Sequence, residues 1–216
     1  MTATPTATAT RESIAIGALT SLPIPSAGLK INFQPDGVLI PAGYLIDVGE
    51  SFAQRGDGFV YGWNAPNRHA IDRGLISDQR YDTLNFMQSA GSFTWEAAVP
   101  NGLYTVRIVA GDACCIDSLY RINVEDIVAI DNQPTNNQRW FESKGVVEVK
   151  DGRLTVSNAV GARNNKINFI EIYPGDLITR AQPTATPTTT TPTKTPTPKP
   201  TVTSGAASTG AAQTTP

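Results

Sequence analysis

The chain of 216 residues has few of the side chains on which most enzyme sites depend. It contains one histidine, His69, and two cysteines, Cys114 and Cys115, which are adjacent. Spaced groups of histidine and cysteine of the kind that bind zinc are therefore excluded. His69 lies in a polar loop with no serine or cysteine nucleophile motif near it, so the usual nucleophilic triads are not indicated either.

The sequence also lacks the features that mark a membrane span or a nucleic-acid binder. No stretch approaches the roughly 18 to 20 apolar residues needed to cross a bilayer. Lys and Arg total 17 against 19 Asp and Glu, and the basic residues are scattered along the chain. Binding to a nucleic-acid backbone normally needs a clustered basic face. We therefore expect no membrane span and no nucleic-acid partner.

Both ends of the chain are poor in the residues that build a core. From Gln182 onward the sequence is almost entirely Thr, Pro, Ala, Ser and Gly, without an aromatic residue, and the first ten residues repeat this chemistry. Such segments cannot bury enough apolar surface to offset the entropy of ordering, and their prolines favour extended spacers. We predict a mostly disordered tether at 1–27, one domain at 28–175 and a disordered linker at 176–216.

The absence of a basic and apolar leader after Met1 means that no signal peptide is present in this sequence. Together with the tethers, this favours a module taken from a larger extracellular protein over a cytoplasmic protein. We therefore expect an extracellular location.

The region between the tethers is rich in strand signals. Leu29–Phe33 alternates apolar and polar residues, and Asn101-Gly102 joins the strands 94–99 and 104–109 as a tight hairpin. No window of eleven or more residues shows helical periodicity free of glycine and proline. Further strands are predicted at 44–48, 59–63, 83–87, 119–125, 145–149, 154–157 and 166–173.

Short strands at this spacing, without helical crossovers, indicate two antiparallel sheets packed face to face. We predict an all-β antiparallel β-sandwich, with jelly-roll topology. One face of the strand 104–109 is expected in its core, and this face consists of Tyr104, Val106, Ile108 and Ala110.

The adjacent cysteines allow two interpretations. They are either two small buried apolar side chains or a vicinal disulfide. In an oxidising compartment, the disulfide would form a rigid apolar platform in the loop 111–117.

Three loops carry the side chains that recognise sugars: 59–73, 111–117 and 161–166. Sugars are bound by an aromatic ring against the apolar face of the pyranose and by amide, carboxylate or guanidinium groups on the hydroxyls. The alternative is that Trp63 packs in the core and that the amides before the last strand only form a turn. The predicted site residues are Tyr61, Trp63, Asn64, Arg73, Tyr81, Cys115, Asp117, Asn164 and Asn165.

Catalysis and metal binding have weaker support. Carboxylates are plentiful, but the sequence alone does not place two of them across a cleft, as glycoside hydrolysis requires. Asp and Asn oxygens in loops suit a structural calcium ion, although no EF-hand spacing is present. We expect no catalytic residue, no certain cofactor and, as an open alternative, a structural calcium.

Seven stretches between Lys30 and Ile172 resemble the malectin-like and galactose-binding-like carbohydrate-binding modules of bacterial extracellular proteins. They are Lys30–Pro35, Pro41–Asp47, Tyr61–Asn64, Arg80–Leu84, Val99–Val106, Asp117–Glu125 and Asn164–Ile172. The resemblance implies a jelly roll whose ligand contacts come from Tyr61 or Trp63, Tyr81, the loop tip 114–116, and Asn164 or Asn165. The tip departs from the family pattern, because two cysteines and an isoleucine replace aromatic rings.

Related modules are joined to polysaccharide-degrading enzymes through Thr/Pro-rich linkers. We therefore predict a monomeric, non-catalytic carbohydrate-binding module that targets a tethered enzyme or surface protein to a polysaccharide or oligosaccharide of a plant or microbial cell wall. Two alternatives stay open. One is a structural or adhesive spacer domain of a cell-surface protein, and the other is a small polysaccharide lyase or hydrolase.

Overall fold

The computed structural model describes residues 23–175. The predicted linker at 176–216 and residues 1–22 of the predicted N-terminal tether lie outside the described residues. No helix within 23–175 is both long enough and apolar enough to cross a membrane.

Fourteen short strands and one helical turn, α1 (Gln79–Asp82), make up the described chain. In chain order the strands are β1 (Leu29–Phe33), β2 (Leu45–Asp47), β3 (Ala53–Gln54), β4 (Val60–Trp63), β5 (Ile71–Asp72), β6 (Thr83–Phe86), β7 (Trp95–Ala98), β8 (Gly102–Gly111), β9 (Tyr120–Val124), β10 (Ile127–Asn132), β11 (Trp140–Val149), β12 (Arg153–Asn158), β13 (Lys166–Ile167) and β14 (Phe169–Pro174).

The strands form two large sheets and one small one. The front sheet has the order β11-β8-β14-β1-β2, the back sheet β10-β9-β12-β7-β4-β3, and the small sheet β13-β6-β5. From β7 to β12 the chain crosses repeatedly between the two large sheets, with β9 and β10 forming a hairpin within the back sheet, and the first strand, β1, lies beside the last, β14. This is the double Greek-key connectivity of a jelly roll. The predicted all-β sandwich is confirmed, with one parallel pair, β1 and β2, at the edge.

The core lies between the two large sheets and follows the alternation of the strands. Tyr104, Val106, Ile108 and Ala110 of β8 are all at most 5% exposed, which confirms the predicted inward face. Burial of such side chains is the main favourable contribution to folding.

The two ends of the sandwich are defined by the ends of its long strands. Leu29 pairs with Ile172, so the described chain enters and leaves the sandwich at one end, which we call the chain end. Gly111 pairs with Trp140 at the opposite end, which we call the loop end. The 10-residue strands β8 and β11 connect the two ends, so about 30 Å separate them.

The sequence did not predict β10 or the first half of β11. A two-residue turn at Glu125-Asp126 joins β9 to β10, and both residues have positive φ, 50° and 60°. This is the geometry that usually calls for Asn-Gly, so the sequence carried no turn signal there. Strand β10 also gave little strand signal in the sequence, because only Ile130 of its six residues is buried.

Candidate functional site

The indole of Trp63 is part of the core. Its side chain is 0% exposed, and its Nε1–H donates to Asp47 Oδ1 at 2.8 Å. Trp95 is buried in the same way and donates to Asp47 Oδ2 at 2.9 Å. Burial raises the pKa of Asp47, although the hydrogen bonds from Gly49 and the two indoles oppose the shift. The prediction that Trp63 presents a ring to solvent is therefore wrong, because β4 turns this side chain inward.

Tyr61 is also buried, and so it too is wrongly predicted as a solvent-facing ring. It is 3% exposed, and its hydroxyl donates to the carbonyl of Ile46 at 3.0 Å. Burial raises the pKa of this phenol. Asn64 is exposed, but its Oδ1 accepts from the backbone N–H of Thr94 at 3.1 Å, so it holds the loop after β4.

Of the two asparagines before the closing strands, Asn165 supports the fold through its side chain and Asn164 through its backbone. Asn165 is 0% exposed, and its side chain bonds to both backbone groups of Arg121 and to Asn158. The prediction that Asn165 faces a ligand is wrong, because every polar atom of its side chain is already bonded inside the protein. Asn164 has φ of 53° and occupies a turn, where its carbonyl accepts from the Ser118 hydroxyl.

Three of the predicted loops do meet at the loop end. Arg73 forms a bidentate ion pair with Asp112 at 2.9 and 2.7 Å, and Lys166 binds Asp112 at 2.8 Å and Asp117 at 3.0 Å. Burial alone would raise the pKa of Asp112, but the hydrogen bonds from Arg73 and Lys166 outweigh it and hold the pKa below its usual range. Arg73 and Asp117 are thus brought together as predicted, in a network whose charges pair with each other.

The adjacent cysteines are joined as a vicinal disulfide, with Cys114 exposed and Cys115 half-buried. Together with Asp112 they form the one group of metal-ligand side chains that lies close together within residues 23–175. Calcium prefers oxygen ligands. Here the two sulfur atoms are bonded to each other, and the Asp112 carboxylate already forms ion pairs with Arg73 and Lys166. This group does not fit a calcium ion, and the predicted structural calcium stays a prediction.

Tyr81 is the one predicted aromatic residue that lies beside an open surface. It is half-buried on the outer side of the front sheet, with its ring edge-on to Trp140 and Phe169. Its backbone carbonyl accepts from the Trp140 Nε1–H at 3.1 Å. Tyr81 therefore positions Trp140, which the sequence assigned to packing.

Trp140 lines a groove at the loop end, which we call the amide groove. Its cavity volume is ≈ 470 Å³, within the range of small-molecule sites. The lining combines one aromatic ring, amides, a guanidinium and small apolar groups: Leu75, Ile76, Ala113, Asn136, Asn137, Gln138, Arg139 and Trp140.

A short hairpin between β10 and β11 presents the amides. Thr135 and Gln138 exchange backbone hydrogen bonds at 2.9 and 3.3 Å, which leaves Asn136 and Asn137 at the tip. Both side chains are exposed and make no hydrogen bond within the described residues. Gln138 Nε2 donates to the backbone carbonyl of Trp140 at 2.8 Å and so connects the hairpin to the start of β11.

Gly111 explains how the ring of Trp140 lies against the front sheet. A Cβ atom at position 111 would lie 2.2 Å from Trp140 Cδ1, so only glycine leaves room for the indole beside β8. The signal in the sequence was the run from Asn132 to Trp140, in which five amide side chains and an arginine precede a tryptophan.

Two other hollows suit sugars less well. The hollow between β10 and β11 is lined almost entirely by apolar groups, including the buried Val106 and Val124 and the exposed Ile127 and Val128. The other lies on the far side of α1, where the loop 39–42 faces Tyr44 and Arg80. There Arg80 is paired with Asp78 at 2.6 Å, and the Tyr44 hydroxyl is bonded to Glu171.

The sequence matches no known protein family and none of the curated proteins. Solved structures to which the chain is similar include β-glucuronidase 2 of Bacteroides uniformis in a calcium-binding mutant form, at 13% identity and a TM-score of 0.43, covering 69% of this chain and 18% of the enzyme. The isomalto-dextranase of Arthrobacter globiformis T6 complexed with panose is similar at 16% identity and a TM-score of 0.32, covering 56% and 22%.

A family 35 carbohydrate-binding module from Clostridium thermocellum is also similar, at 12% identity and a TM-score of 0.29, covering 58% of this chain and 98% of the module. The chain spans about a fifth of the length of the two enzymes. All three TM-scores are below 0.5, so these likenesses carry no argument about what the chain binds. The malectin-like family stays a prediction.

Proposed function

We propose that this protein is a non-catalytic carbohydrate-binding module whose site is the amide groove. The observation that carries the proposal is the convergence of Trp140, Asn136 and Asn137 on one open groove. An aromatic ring beside amide groups is the combination that binds the apolar face and the hydroxyls of a sugar.

The state of these side chains favours ligand binding over packing. Asn136 and Asn137 have all their amide donors and acceptors available, and the turn that carries them is closed by backbone hydrogen bonds. Because the backbone of the turn is fixed before binding, the ordering cost on binding is limited to the asparagine side chains, which leaves more of the contact energy for affinity.

The position of the groove suits a tethered module. The described chain enters and leaves the sandwich at the chain end, whereas Trp140 lies at the loop end. A module held at one end can present the other to a polysaccharide and raise the local concentration of whatever it is joined to. We propose that it targets a tethered enzyme or surface protein in this way, as a monomer.

Two further observations support parts of this proposal. The residues that line the amide groove include no carboxylate, whereas glycoside hydrolysis normally needs two; this supports a non-catalytic role. A disulfide such as Cys114–Cys115 persists in oxidising compartments, which supports an extracellular location. The resemblance to malectin-like and galactose-binding-like modules agrees with both.

The test is isothermal titration of neutral and acidic plant and microbial polysaccharides into the wild type and two matched double variants. In Asn136→Ala/Asn137→Ala the tip amides are removed. In Asn132→Ala/Gln133→Ala two exposed amides outside the groove are removed, at the end of β10 and the start of the connection to β11. We expect at least one glycan to bind, with an affinity at least about tenfold lower in the tip variant and unchanged in the control.

Failure of the wild type to bind any polysaccharide of the panel would overturn the proposal and favour a structural spacer. Equal loss of affinity in the two double variants would place the site outside the amide groove. Release of reducing or unsaturated sugars during the titration would contradict the non-catalytic role.

A further inference from the structure

Arg139 differs from the other charged residues around the amide groove because it has no partner. Its Nη1 is buried without a hydrogen bond, and no ion pair to its guanidinium occurs within the described residues. A buried, unpaired donor on a charged group is costly, so its presence needs an explanation. Arg139 lines the groove, and its Nε and Nη2 make no hydrogen bond within the described residues and are not buried, so these two nitrogens are the donors that an anion in the groove would reach.

The neighbouring arginines show the contrast. Arg73 binds both oxygens of Asp112, and Arg80 binds both oxygens of Asp78. The guanidinium groups of Arg73 and Arg80 are therefore already occupied by carboxylates of the protein. Arg139 is the one charged side chain among the residues that line the amide groove, and it has no ion pair within the described residues.

We propose that the amide groove binds an acidic glycan, with an anionic substituent of the sugar, a carboxylate or a sulfate, bound by Arg139. This inference rests on the proposed function, because the ring of Trp140 and the amides at 136 and 137 hold the sugar itself. The planar fork of a guanidinium donates two parallel hydrogen bonds to an anion of this kind. The charge of Arg139 then selects acidic over neutral glycans.

The experiment uses two pairs of polymers and the full chain. Polygalacturonate is compared with its carboxyl-reduced form, and κ-carrageenan with its desulfated form, at low and high salt. The variants are Arg139→Gln and, as a matched control, Arg163→Gln. Arg163 is an exposed arginine at the same end of the sandwich, outside the groove and without an ion pair in the described residues, so both changes remove one positive charge.

We expect the wild type to bind the acidic member of at least one pair at least about tenfold tighter than its neutral counterpart, with an affinity that falls as salt rises. The pair that shows the preference identifies the anion as carboxylate or sulfate. Arg139→Gln should bind both members alike and without salt dependence, while Arg163→Gln should behave as the wild type.

Equal affinity of the wild type for both members of both pairs overturns the inference, and so does an unchanged preference in Arg139→Gln. Binding to neutral glycans alone also overturns the inference, but it does not contradict the proposed function. Binding to none of these polymers, nor to any other polysaccharide, removes the proposed function and this inference together. A thermal unfolding curve of Arg139→Gln matching that of Arg163→Gln shows that the variant is folded.

Discussion

The protein contains two sites in which tryptophan meets polar side chains, and they differ in whether those polar groups are already satisfied. In the core, Trp63 and Trp95 donate to the two oxygens of Asp47, and all three side chains are buried. At the amide groove, Trp140 is half-buried beside Asn136 and Asn137, whose side chains make no hydrogen bond within the described residues. A tryptophan near polar residues in a sequence therefore does not indicate a binding site, whereas unpaired polar groups beside an open ring do.

The largest expected effect is on the core site. Trp63→Ala removes a fully buried side chain and leaves one oxygen of Asp47 without its donor, so we expect a loss of about 3–5 kcal/mol in the free energy of unfolding. Denaturant unfolding of the wild type and the variant measures this. A variant that kept its stability but lost glycan affinity would reverse the assignment of the two sites.

Trp140→Ala should have the opposite pattern from Trp63→Ala, with a small loss of stability and a large loss of glycan affinity. The side chain is half-buried, so we expect a loss of only about 1–2 kcal/mol in unfolding free energy. Glycan affinity should fall at least about tenfold, because the ring that stacks on the sugar is gone. Trp140→Phe is the control, since it keeps a ring and should retain part of the affinity. Unchanged affinity in Trp140→Ala would contradict the site.

The contributions of Asp112 and Asp47 to the free energy of unfolding should change in opposite directions as the pH falls. Asp112 has a lowered pKa in the folded state, so its contribution to stability is present above about pH 4 and is lost as the pH falls through the folded pKa. Asp47 has a raised pKa, so the folded state takes up a proton first, and this residue favours folding increasingly as the pH falls toward 4.

Unfolding free energies between pH 2 and 7 for the wild type, Asp112→Asn and Asp47→Asn test this difference. The stability advantage of the wild type over Asp112→Asn should shrink below about pH 4. Its advantage over Asp47→Asn should grow as the pH falls toward 4. Movement of both differences in the same direction would contradict the assigned shifts.

The smallest expected effect is that of the disulfide. Cys114–Cys115 closes a loop of adjacent residues, so in the chain-entropy account it restricts the unfolded state by only about 1 kcal/mol. Since Ala113 lines the groove but the cysteines do not, reduction should leave glycan affinity within about twofold. Titration with and without reductant measures this. A large loss of affinity on reduction would make the disulfide part of the binding surface.

Much of the fold could be predicted from local patterns. The alternation in Leu29–Phe33 reports the strand period directly, and this strand is observed. The tight hairpin predicted at Asn101-Gly102 is wrong, because β7 and β8 on either side of it lie in different large sheets and the segment crosses from one sheet to the other. Hairpins without glycine were missed, because Glu125-Asp126 adopts positive φ with residues that rarely do so. Such a turn is decided by the pairing of β9 with β10 and not by its own sequence.

The site was predicted less well for a different reason. Whether Trp63 or Trp140 faces solvent depends on which side of its strand points inward and on what covers it, and these are properties of the packed sheets. The predicted loops do meet, through Arg73, Asp112 and Lys166, but their charges neutralise one another. Only the structure distinguishes a paired cluster from the open groove beside it.

The three indole N–H groups allow the most direct test of where the ligand binds. In a ¹H–¹⁵N correlation spectrum, each of the three tryptophans gives its own side-chain signal, and Trp140→Phe assigns the one at the groove. On titration with the oligosaccharide of highest affinity, the signals of Trp140 and of the side-chain amides of Asn136 and Asn137 should shift, while those of Trp63 and Trp95 stay in place. Shifts at Trp63 and Asn165, with Trp140 unmoved, would contradict the account.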